Sequence, residues 1–227
     1  MRARTWAVPG LILLAAAASA ENTGTEKIPE NVFAVVMTFE QDFSRPTLEN
    51  MQRELEYILE PFDFQFRWRL GLNDRREEIA NLLISVRMRG RCSISLPEEP
   101  PKPFPTRVLG QTEMSEGKLL SYCDVDCDGV RNMIWSAVSG ESFVQMQNLM
   151  GRALGRVLAH DVFHILAGTT RHRRNGISRA VMTPEDLVEG VMQLEPEEVE
   201  GIRRHTFPAP VQLRNQVPAT GGASAGR

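Results

Sequence analysis

The sequence predicts an α+β domain in which a mixed β-sheet packs on one long helix. Three observations point there. Short β-branched or alternating apolar runs fill the first half of the chain, a long helix with two adjacent apolar stripes spans residues 142–166, and further helical segments follow from residue 183 to about residue 205.

Residues 1–20 read as a secretory signal peptide. Arg2 and Arg4 give a basic start, Pro9 to Ala18 is apolar, and Ala18-Ser19-Ala20 offers a small-x-small cleavage site before Glu21. Residues 21–31 form a polar leader, residues 32–206 the folded domain, and residues 207–227, dominated by Pro, Gly, Ala and Ser, a disordered tail. Phe33 to Phe39 is a buried strand. Ser44-Arg45-Pro46 starts a helix, whose apolar stripe is Leu48, Met51, Leu55, Ile58 and Leu59. Phe62, Phe64 and Phe66 alternate with polar neighbours through Trp68, which predicts a half-buried strand. Ala80 to Val86 predicts a central strand, and the five prolines between Pro97 and Pro105 a rigid loop. Val108 to Met114 and Lys118 to Cys123 flank Ser115-Glu116-Gly117 as a hairpin.

Helices follow over Val130 to Val138 and Ser142 to Leu166. In the second, Met146, Leu149, Ala153, Val157, His160 and His164 fall along one stripe, and Leu154, Leu158, Val162 and Ile165 along its neighbour, so most of its surface is to be buried. Gly151 and Gly155 permit a close backbone approach, and Gly168 stands at the C-cap. Thr183-Pro184-Glu185-Asp186 starts a further helix that takes in Leu187 to Leu194, and Glu197 to His205 continues helically.

The chain holds 26 basic and 29 acidic residues, a net charge of −3. Loss of Arg2 and Arg4 with the signal brings this to −5, which argues against a nucleic-acid partner. No second long apolar run follows, so the mature protein is expected to be secreted or periplasmic and not held in a membrane. Cys92, Cys123 and Cys127 allow one intramolecular disulfide: Cys123 with Cys127, or either with Cys92.

Two motifs carry candidate chemistry. Asp124-Val-Asp126-Cys-Asp128-Gly129 has the opening of a calcium loop, but position twelve is Trp135 where such a loop needs Glu, so an acidic cap on the following helix is the stronger reading of Asp124, Asp126 and Asp128. The other motif is His160-Asp161-Val-Phe-His164 with His172 eight positions on. Histidines four apart share a helix face, and a chain turning at Gly168 can return His172 to them, a ligand set for zinc. The competing reading is three histidines satisfied by core hydrogen bonds. Arg171-His-Arg-Arg174 is a basic loop able to steer an acidic group, or simply a solvated one.

At these residues the sequence resembles the zinc metallopeptidases, the metzincins more closely than the gluzincins, and also a set of exported bacterial proteins. The resemblance is specific over about 30 residues around the segment Leu154 to His172, and only architectural over the rest of the chain. It implies a zincin-like fold, peptide-bond hydrolysis of a peptide or protein substrate by zinc-activated water, His160, His164 and His172 as zinc ligands, and Asp161 at the place of the general base. It also offers Met182 as a Met-turn, beside the plainer reading of a core methionine. Two positions depart from the family pattern. The third histidine follows the second by eight residues instead of six, where Thr170 stands, and Asp161 replaces Glu. Asp is one methylene shorter, on the order of 1 Å, and a misplacement of that size can cost roughly a hundredfold in rate. The implied protein is a metallopeptidase of weak activity, or a non-catalytic metal-binding or interaction domain of the same fold.

Overall fold

The computed structural model describes residues 31–71, 78–94, 108–205 and 211–213. The expected signal peptide, nearly all of the polar leader, the proline loop and most of the expected tail lie outside them. The elements are β1 (Val32–Phe39), α1 (Arg45–Ile58), a 3-10 turn (Glu60–Phe62), β2 (Gln65–Leu70), β3 (Glu78–Ala80), β4 (Leu82–Arg89), β5 (Gly110–Ser115), β6 (Lys118–Asp126), α2 (Cys127–Val138), α3 (Phe143–Ala167), α4 (Pro184–Val188), α5 (Pro196–Arg204) and β7 (Val211–Leu213). Five strands form a sheet in the order β2-β1-β4-β6-β5. Its pairs are parallel except for β5, which runs antiparallel to β6 at the end of the sheet. The sheet is therefore mixed, and the expected α+β organisation holds at that level.

β1 sits inside the sheet with both faces covered, which its continuous apolar sequence requires. Phe33, Val35 and Met37 join the main core, while Val32 and Ala34 pack with Ala80. β4 alternates instead: Ile84, Val86 and Met88 are buried, and Leu83 and Arg87 are exposed. Its strand runs to Arg89, past the expected end at Val86. The β5–β6 hairpin turns at Glu116 and Gly117, both at positive φ (50° and 77°), as a two-residue hairpin turn matched to strand twist demands. Phe62 belongs to the 3-10 turn, so the strand expected from Phe62 begins only at Gln65; Phe62 still stacks on Phe64, with ring centroids 5.0 Å apart.

The long helix α3 is buried along most of its length, as its double stripe predicts. It lies against α1 at small residues: a Cβ added to Gly151 would stand 2.5 Å from the Thr47 carbonyl oxygen, and one added to Gly155 would stand 2.8 Å from that of Met51. Arg156, 1% exposed, fastens the junction. Its Nε donates to Glu54 of α1 (2.7 Å), and its terminal nitrogens donate to the carbonyls of Asp186, Glu189 and Gly190. That explains a correction. The Thr183 capping box starts α4 as expected, but the helix ends at Val188 instead of continuing to Leu194, because Glu189 is extended and Gly190 has φ 58°. The freed carbonyls turn onto the buried guanidinium. A second correction concerns the tail, where Val211–Leu213 pairs antiparallel with β3.

Cys92 and Cys127 form the disulfide, joining the chain just after β4 to the start of α2, and Cys123 is a buried free thiol. The acidic motif builds no calcium loop. Asp124 lies in β6 and receives two hydrogen bonds from Arg87 (2.8 and 2.5 Å) and one from Tyr122. Asp126 caps α2 by accepting from the Gly129 N–H, and Asp128 pairs with Arg131. The three carboxylates serve three separate tasks, the middle one being the helix cap. No helix among the described residues is long and apolar enough to cross a membrane.

Candidate metal centre

His160 and His164 stand one turn apart on α3 because i and i+4 side chains share a face. The helix then stops at Gly168, whose φ of 58° only glycine adopts freely. Gly168 N–H bonds the Ile165 carbonyl and Thr169 N–H the His164 carbonyl, a Schellman end. This turn brings the Thr169 carbonyl back over its own helix, where it accepts from His164 Nδ1 at 2.7 Å. His160 Nδ1 donates likewise to the Ile177 carbonyl at 2.7 Å.

Those two bonds fix the chemistry of the rings. A carbonyl only accepts, so each Nδ1 carries the proton and, in the neutral ring, each Nε2 keeps a bare lone pair. The two Nε2 atoms nevertheless face each other at 3.1 Å. Two lone pairs at that distance repel unless a proton or a cation lies between them. A proton is disfavoured: burial pushes His160 down to about 4 despite the Ile177 bond, helped by the neighbouring charges of His164 and His172, and burial also holds His164 below its ordinary value. Ligands on a tetrahedral zinc, at about 2.0–2.1 Å from the ion, are separated by about 3.3 Å, close to the observed gap. The Nδ1–carbonyl bonds are the kind of support that metal-bound histidines use to hold tautomer and orientation.

His172 completes the group. Its ring stacks on that of His160 with centroids 5.2 Å apart and meets His164 edge-on at 4.9 Å. One ligand atom from each of the three lies within 4.8 Å of the others, and among the described residues no other set of three or more His, Cys, Asp or Glu side chains is so arranged. The three residues singled out in the sequence thus come together and could hold a metal ion. His160 is half-buried, His164 buried and His172 exposed, so the group opens on one side.

It opens into a cleft of about 550 Å³ whose wall includes Gly110 to Thr112 of β5, Met133, Val157, and Arg179 to Met182. Met182 lies in this wall and packs at the edge of the core. Asp161 also borders the cleft but is 2% exposed. Its Oδ1 accepts from the Thr112 hydroxyl at 3.1 Å, and its buried Oδ2 has no hydrogen-bond partner among the described residues. Burial pushes the carboxyl up to about 7, with the Thr112 bond opposing and the Asp124 charge adding to it. Arg179, on the same wall, is tied to Asp186.

Sequence reasoning missed the groups that fix these side chains: the carbonyls of Thr169 and Ile177, the Thr112 hydroxyl and Gly110. The Gly168 stop signalled the first. The others arise from contacts between distant segments, and nothing local announces them. In comparisons with known proteins the chain matches no family model and no curated sequence.

Proposed function

We propose that this chain is an exported, zinc-dependent hydrolase of the metallopeptidase kind, with a zincin-like fold and weak peptide-bond hydrolysis. The observation that carries the reading is the pair of facing Nε2 lone pairs on His160 and His164, with His172 beside them at the wall of a cleft.

Zinc held by three imidazoles supplies a Lewis acid and an activated water near neutral pH. The chain's own residues do the rest. His160 and His164 are oriented by the Ile177 and Thr169 carbonyls, and His172, exposed, joins them from the loop after Gly168. Asp161 is the group we assign to proton exchange, since a carboxyl near 7 is matched to neutral pH and Thr112 fixes its orientation. β5 ends the sheet beside the histidines and offers an extended substrate a strand to pair with.

One observation favours a second reading, a non-catalytic metal-binding or interaction domain: Asp161 is shorter than Glu and is held beneath β5 by Thr112. Metal content and cleavage of a broad peptide library by the wild type and by Asp161→Glu separate the two. Cleavage by the zinc-loaded chain, made faster by Asp161→Glu, supports the peptidase. Zinc bound with neither form cleaving supports the second reading, and no metal uptake removes both.

A further inference from the structure

Outside the histidine group, the most completely buried carboxylate among the described residues is Glu198 of α5, at 0% exposure. Burying such a charge is costly unless hydrogen bonds replace its water, and here four do. Oε1 accepts from the Ser178 N–H (2.7 Å) and the Ser178 hydroxyl (2.5 Å); Oε2 accepts from the Ile177 N–H (3.3 Å) and the Glu195 N–H (2.8 Å). The fit is close at Gly176, where φ is 80° and an added Cβ would stand 2.5 Å from Oε2.

The Ser178 N–H and the Ile177 carbonyl belong to one peptide group. That carbonyl is the acceptor for His160 Nδ1. A full negative charge on the N–H end of an amide polarises it, and its oxygen becomes a stronger acceptor, as in any cooperative hydrogen-bond chain. A stronger acceptor on Nδ1–H in turn makes Nε2 a better donor to a cation, the effect that a carboxylate has when it touches a metal-bound histidine directly.

We propose that Glu198 is a positioning residue for the metal centre, acting on His160 through the Ile177–Ser178 peptide group as a carboxylate–amide–histidine relay. The same carboxylate holds the turn at Gly176, and the Arg173 N–H bonds the Ser178 carbonyl, so the loop that begins at His172 is anchored to the same support. His164 has no such relay among the described hydrogen bonds, and the Glu198 charge reaches it only through space. The inference rests on the reading of His160 as a metal ligand.

The test compares Zn²⁺ affinity, measured by chelator competition, with the His160 and His164 Nδ1 proton resonances of the metal-free protein. Glu198→Gln keeps the shape and removes the charge. It is expected to weaken Zn²⁺ binding about 10- to 100-fold and to move the His160 Nδ1 proton upfield by more than that of His164, which feels the Glu198 charge only through space. Ser178→Ala removes one bond to Glu198 but leaves the amide, and is expected to lower Tm with Zn²⁺ affinity unchanged. Wild-type affinity in Glu198→Gln, or an unmoved His160 resonance, overturns the relay and leaves Glu198 a structural anchor. If Glu198→Gln does not fold, the wild type decides, because the relay requires the His160 Nδ1 proton to resonate downfield of the His164 one, and the reverse order overturns it. A wild type that takes up no zinc removes the metal reading, while the proton resonances still judge the relay.

Discussion

Asp161 and Gly110 are packed so closely that a Cβ at position 110 would lie 2.1 Å from Asp161 Oδ2 and 2.9 Å from a Val157 methyl. The Asp161 carboxyl is thus roofed by the backbone of β5, and only glycine leaves it room. Gly110→Ala is expected to displace either β5 or the carboxyl and to cost about 1–3 kcal/mol, as overpacking of a core does. Thermal unfolding checks this, and in an Asp161→Ala background the same substitution should cost clearly less.

The metal-free protein should show two opposing pH dependences. Asp161 is raised from 3.8 to about 7, so its folded-state advantage is full below pH 4 and is lost as pH rises to 7. His160 is lowered from 6.5 to about 4, so its contribution is intact above 6.5 and is lost as pH falls toward 4. Between pH 4 and 6.5 the two largely cancel. Asp161→Asn removes one of them, and stability of the chelator-treated variant should then rise with pH across that window. Above pH 7 it should exceed the wild type by up to about 4 kcal/mol, at ~1.36 kcal/mol per pKa unit. Chemical denaturation at several pH values reads this, and an unchanged profile would contradict the placement of Asp161.

Arg156 leaves Glu54 without its buried partner if it is removed. Arg156→Met should cost about 2–5 kcal/mol: Glu54 keeps only its longer contact to Arg152, 3.9 Å, and buried acceptors left without a donor cost about 1–3 kcal/mol each. The carbonyls of Asp186, Glu189 and Gly190 lose their donor at the same time. A loss under 1 kcal/mol in equilibrium unfolding would count against the junction described above.

The disulfide links positions 35 apart in sequence. Chain-entropy reasoning gives about 3–4 kcal/mol for a loop of that length, so reduction should lower stability by that order. Alkylation of the unreduced protein should label no thiol in the folded state and only Cys123 after denaturation; labelling of Cys92 or Cys127 would contradict the pairing.

Much of this was legible locally. The i, i+4 histidines, the Gly168 stop, the hairpin turn and the two close-approach glycines follow from spacing and backbone conformation, which a single segment decides. Disulfide pairing was not legible, since three cysteines allow three bridges and only the placement of residue 92 after β4 beside the start of α2 selects one. The early end of α4 depends on Arg156, about 30 residues away, competing for its carbonyls. For Glu198 the sequence predicts only a place in the helix from Glu197 to His205; its position behind the Ile177–Ser178 peptide group exists only once that helix packs beneath the loop.

Everything proposed for the cleft depends on His160, His164 and His172 taking up a metal ion together. The most direct measurement is calorimetric titration of the chelator-stripped protein with Zn²⁺, alongside His160→Ala, His164→Ala and His172→Ala. One ion per chain is expected, with binding abolished by either helix substitution and weakened by the third. No heat of binding in the wild type, or uptake that survives loss of both His160 and His164, would contradict it.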